Sequence, residues 1–174
     1  MGDYFPAYIR IGGKIDAAGA EDLLGACEND NAWHDYDTRP ELLGTPIEKL
    51  TQLFVLAQDG DPNVHHLILR NSQARNGCFG DVEDICSRLS LPYERHSDAY
   101  ADASSAWEIW RPGRPYPFFI ASDQDANRLI NADIVLRAYK ALMEGCYHEA
   151  LHFLHPLVSP LIELGELPPF VIET

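Results

Sequence analysis

VHHLILRNSQARNGCFGDVEDICSRLSLPYERHSD, residues 64–98, is the stretch on which the fold turns. VHHLILR (64–70) is apolar and β-branched enough for a central strand, and NSQARNG (71–77) supplies a turn. Over 79–89, Val82, Ile85, Cys86 and Leu89 fall on one stripe at helical spacing, after which YERHSD (93–98) reads as a strand. WEIWRP (107–112) predicts another strand, joined to it by the Ala/Ser/Asp-rich ADASSA (101–106). The order β-α-β-β is that of a split β-α-β sandwich. The expected class is therefore α+β, with a mixed or antiparallel sheet and helices on one face.

Working outward, YIRIGGKI (8–15) alternates like a strand, placing Ile9, Ile11 and Gly13 opposite Tyr8, Arg10 and Gly12. Residues 17–28 and 41–58 carry helical spacing, separated by the polar, turn-rich NDNAWHDYDTRP (29–40) and closed by DGDPN (59–63). RPGRPYP (111–117) is irregular because of its prolines, and PFFIAS (117–122) is one more candidate strand. Beyond it, Asn131 or Asp133 can cap a helix through Ile134, Val135, Leu136, Ala138, Tyr139, Leu142 and Met143. Gly145 stops that helix, and a second runs over 147–158 with Pro156 as a kink or an end. The expected organisation is a single domain, 1–174, with a sheet-and-helix core over 1–122 and a C-terminal helical hairpin over 123–174.

Charge bounds the partners. The 174 residues hold 27 acidic and 13 basic side chains, for a formal charge of −14. Such a chain is repelled by phosphate backbones and anionic lipid, and no run of Lys or Arg offsets this, so neither direct nucleic-acid binding nor membrane binding is expected. Four cysteines (27, 78, 86, 146) without a C-x-x-C pair fit a reducing compartment, with Cys86 and Cys146 read as small core residues. No leader or membrane-spanning run is evident, so the expected location is cytoplasmic.

One segment carries a sharp chemical signal. His148-Glu149-Ala150-Leu151-His152 matches H-E-x-x-H, in which two histidines one helical turn apart bind zinc and the glutamate activates the metal-bound water. His155 adds an imidazole on the same side of the wheel. Against a zinc-dependent hydrolase stand Gly145, which would leave His148 in a fraying first turn, and the third ligand, since Pro156 and Pro160 precede Glu163 and Glu166. ALMEGCYHEALHFL (141–154) resembles the junction of tetratricopeptide-type hairpins. That resemblance covers one hairpin with no second copy. It implies a tight turn at Gly145, Tyr147 packed back on the first helix and close approach at Ala150, with the histidines on the polar face.

Other constellations are weaker. Asp123-Gln124-Asp125-Ala126-Asn127 begins like an EF-hand loop, but Arg128 replaces the glycine and Ile134 the bidentate glutamate, leaving a turn and helix cap. Glu94, His96 and Asp98 share one strand face that could serve acid-base chemistry and is expected to be solvated. The expected function is a non-catalytic acidic binding protein that occupies a basic surface of another protein, of the inhibitor, immunity or anti-defence type. It needs no cofactor. Its candidate contacts are Asp30, Trp33, Asp35 and Asp37 in the acidic aromatic segment, and Trp107, Trp110 and Tyr116 in the second aromatic run. The alternative is a zinc hydrolase with His148 and His152 as ligands and Glu149 as general base. A ligand pocket in the sandwich is the third reading.

Overall fold

A computed structural model describes residues 3–58, 61, 63–98, 105–123, 125 and 127–173. Parts of three expected connections (59, 60 and 62; 101–104; 124 and 126) lie outside the described residues. Five strands form one antiparallel sheet in the order β3-β1-β4-β5-β6, from β1 (Tyr4–Ile11), β3 (Leu67–Arg75), β4 (Tyr93–Ser97), β5 (Ala106–Trp110) and β6 (Phe118–Ala121). Because β3 and β4 both run antiparallel to β1, which lies between them, β3, the helix α3 (Gly80–Arg88) and β4 make up the split β-α-β unit. The class is α+β, as the 64–98 pattern requires.

Alternation sorts the sheet into two faces. Ile9, Ile11, Leu67, Leu69 and Tyr93 point to one side, where they close a core with Leu23 and Cys27 of α1 (Ala17–Asn29), Leu50 and Leu53 of α2 (Pro46–Ala57), and Val82 and Cys86 of α3. Each fully buried Leu or Ile contributes about 1.5–3 kcal/mol. Three residues in left-handed conformation, Asn31, Ser90 and Gly145, end α1, α3 and α4 (Ala132–Met143). At each, the amide of the next residue reaches back to the last turn (Ala32 to Cys27, Leu91 to Cys86, Cys146 to Ala141, all 2.8 Å).

Several expected boundaries move. The strand read over 8–15 is two elements: β1 ends at Ile11, and β2 (Gly13–Ile15) leaves the sheet to pair in parallel with β7 (Phe170–Ile172). Gly12 permits this, since a Cβ there would lie 2.1 Å from the Pro168 carbonyl oxygen of the returning chain. The helix read from residue 41 starts at Pro46, where Thr45 and Glu48 form a reciprocal capping box. The last helix, α5 (Tyr147–Leu164), runs on past residue 158 through both Pro156 and Pro160 to Gly165. Its outer side is exposed there, so carbonyls freed by the missing proline amides meet water. Cys146 is an exposed N-cap residue and no part of the core.

Candidate functional site

Gly145 (φ +75°) breaks α4 from α5, so His148 sits in the first turn of α5, one residue after its start. The α4–α5 pair is a helical hairpin closed on Ala138, Ala141 and Ala150, all buried. Ala150 allows the close approach that the hairpin resemblance implies, but Tyr147 does not pack back: it is 67 % exposed. His148, Glu149, His152 and His155 all face solvent. Among the described residues no group of three His, Cys, Asp or Glu side chains is placed to hold a metal ion.

The acidic aromatic segment is built into the body. Trp33 is buried, bridges by its backbone to Arg70 of β3, donates its indole N–H to Asn31 (3.0 Å) and carries Arg39 on its ring face (5.2 Å). Asp30 accepts the Val82 amide (2.8 Å) and so caps α3 from outside that helix. Burial pushes its carboxyl above the ordinary value, with Asp81 and Asp84 adding in the same direction, while the amide bond opposes them. Asp35 and Asp37 are exposed: the first accepts Tyr36 N and Thr38 Oγ1, the second the Ser72 hydroxyl. Asn29, at the end of α1 just before this segment, lines a cleft of about 330 Å³ between α1 and α3 together with Glu21, Asp22, Asp81 and Asp84. On this side Arg88 and Arg39 are already paired, with Asp22 (2.7 Å) and Glu28 (2.5 Å). Sequence order concealed the cluster, because α1 and α3 are brought side by side only by the sheet.

The second aromatic run divides between the two faces of the sheet. Trp110 is buried and stacks on Tyr93 on the helix side; Trp107 is buried on the other face, against Tyr8 and His96 (5.6 and 5.2 Å) and under Arg128 (5.9 Å). Only Tyr116, 80 % exposed, is free to touch a partner. On Trp107's face Arg111 acts as a latch: it donates to Glu94 (2.6 Å) and to the Leu164 carbonyl (3.1 Å), tying the end of α5 to β4.

The expected solvated face is in fact interior, since Glu94 and His96 are 6 % and 1 % exposed. His96 Nε2 lies 3.0 Å from Ser122 Oγ and 3.1 Å from Ser105 Oγ, and its Nδ1 lies 3.6 Å from Asp98. Such a Ser-His-Asp series has the atoms of an acyl-transfer relay. Sequence spacing gave no hint of the two serines, which arrive from β5's start and β6's end. Ser105 is nevertheless saturated, within 3.1 Å of the Ser97 and Asp123 carbonyls as well, and neither serine nor His96 lines any of five surface clefts formed by the described residues. Burial lowers the His96 pKa, against the pull of Asp98 and Asp123. The neutral ring is the form that suits a packed polar cluster.

A second buried network sits on the helix side. Arg95 contacts Glu83 (2.8 Å), Glu108 and the Gly77 carbonyl (2.5 Å), and the Tyr93 hydroxyl donates to Glu108 (2.9 Å). Burial raises the Glu83 carboxyl above its ordinary value although Arg95 and the Phe79 amide draw it down. One cation thus answers two carboxylates in the interior.

No described helix is long and apolar enough to cross a membrane. Comparison with protein-family models, with curated proteins and with solved structures finds no match, so the reading of function rests on these surfaces.

Proposed function

We propose that this is a non-catalytic binding protein whose acidic α1–α3 side occupies a basic surface of another protein. The observation that carries the reading is the convergence of Glu21, Asp22, Asp81 and Asp84 on one cleft between α1 and α3, with Asp30 held on the start of α3 and with Arg88 and Arg39 already committed to Asp22 and Glu28. Carboxylates held side by side repel one another, and a cationic partner relieves that repulsion while the net charge of −14 speeds its arrival. Among the described residues the Ser-His-Asp series at His96 is buried and its Ser105 is already engaged by two carbonyls, which favours occupancy over turnover. Asp30 caps α3 beside this surface, and Asp35 and Asp37 add exposed negative charge in the connection that follows α1.

The test is affinity isolation of the partner at low and raised salt with the wild-type chain and with Asp81→Lys/Asp84→Lys. Expected is a complex that weakens about tenfold or more as salt rises toward 1 M and fails with the reversed charges. A complex indifferent to both would overturn the proposal. So would stoichiometric zinc in the purified protein that disappears in His148→Ala.

A further inference from the structure

We propose that a second copy of this chain covers one side of the α4–α5 hairpin, so that the protein is a homodimer joined through a four-helix layer. On α4 the exposed apolar residues Val135, Leu136, Tyr139, Leu142 and Met143 recur at helical spacing, beside the buried Ala138 and Ala141 that face α5. On α5 the exposed Tyr147, Leu151, Val158 and Ile162 do the same beside Ala150. Each stripe lies roughly 110° round its helix from the alanine face, in the same rotational sense. In an antiparallel pair, equal rotation puts both stripes on the same side of the hairpin. The result is one continuous apolar surface.

Its size identifies the occupant. These nine side chains are 44–73 % exposed, which leaves about 1,000 Å² on one side, given roughly 150–250 Å² for each large side chain. The largest apolar patch of an ordinary monomer is about 300–600 Å², whereas a stable dimer covers about 800 Å² on each partner. A flat two-helix layer is its own complement about a two-fold axis, the geometry of a helical bundle. Charge selects against a basic partner here. Residues 129–164 hold four acids and two bases, net −2, so −12 of the total −14 lies elsewhere. Among the described elements α4 packs extensively only on α5, and the hairpin is fastened to the sheet at the Leu164 end of α5 through Arg111.

Sedimentation of the full chain over a range of micromolar concentrations tests this. A species of twice 19.5 kDa is expected, holding or tightening as salt rises, because salt screens the repulsion between the two acidic bodies. That response is opposite in sign to the one expected for a partner on the α1–α3 side, so the two proposals fail separately. Leu136→Glu on α4 and Leu151→Glu on α5 should each raise the dimer dissociation constant about 100-fold or more, with unchanged circular dichroism. Met143→Lys serves where either fails to fold. Val55→Glu, an equally exposed apolar site on α2, should leave the dimer intact. A one-chain mass at every concentration, a dimer that survives both Leu136→Glu and Met143→Lys, or one dissolved by salt or by Val55→Glu overturns the proposal.

Discussion

Replacing Arg95 by methionine isolates what the interior network contributes. Methionine keeps the chain length and the packing beside Ile9 and removes the charge with its contacts to Glu83, Glu108 and Gly77. Two carboxylates are then left inside, with side chains only 17 % and 8 % exposed and no cation between them. Breaking a buried ion pair from one side costs about 3–5 kcal/mol, a large share of the roughly 5–15 kcal/mol that holds a domain together. In urea, with a slope of about 2 kcal/mol per M, the midpoint should fall by about 2 M. The pH dependence is specific. Glu83 already titrates above its ordinary value of 4.5 in the folded chain, and Arg95 holds it down. Without Arg95 its folded pKa climbs further, and an acid whose folded pKa exceeds its unfolded one lowers stability as pH rises through that window. The loss should therefore be deepest near neutral pH and shrink as pH falls toward 4.5. Adding Glu83→Gln should flatten that dependence. A midpoint shift corresponding to less than about 1 kcal/mol, or a loss independent of pH, would refute the reasoning.

Two further outcomes follow from the opposite face. Arg111→Ala removes the donor shared by Glu94 and the Leu164 carbonyl; it should cost about 3 kcal/mol and speed hydrogen exchange at the end of α5 far more than in α1 or α3. Equal acceleration everywhere would contradict the latch. For His96, a folded pKa below the ordinary 6.5 means that the unfolded chain binds more protons in that window, so stability is complete above 6.5 and falls on acidification toward the folded value. His96→Gln should remove that segment of the pH–stability curve, and an unchanged slope would show that the ring is not held neutral by burial.

Local pattern settled most of the secondary structure. Apolar, β-branched residues in 64–70, alternation in 93–98, helical spacing in 79–89 and the punctuation at Asn131 and Gly145 act over a few residues, and the corresponding elements stand near where those signals put them, except that β3 starts at Leu67 and runs through 71–75, where the polar residues predict a turn. Capping is equally local: the box at Thr45 and Glu48 starts α2 at Pro46, later than the start at residue 41 that apolar spacing alone predicts. The extension of α5 through Pro156 and Pro160 escaped for a different reason. A helix tolerates missing amides when neighbours and solvent absorb the freed carbonyls, and a linear pattern does not record them.

The candidate surfaces were less legible. Asp30 looked like a contact and is a cap; Trp107 and Trp110 looked like neighbours in one aromatic run and lie on opposite faces, because every second residue of a strand points the same way and these two are separated by three. Charge, the elements and the amphipathic stripes of the hairpin are legible in the linear pattern, since each depends on residue type and short spacing. That α1 and α3 pool their acids, that His96 meets two serines and that both hairpin stripes look the same way emerges in the folded chain alone. Those facts depend on pairings between segments far apart in the chain, fixed by burial of Ile9, Leu69, Leu23 and Val82 in one core. Hydrophobic burial of that kind is non-directional, and only the assembled packing reveals which polar groups it carries together.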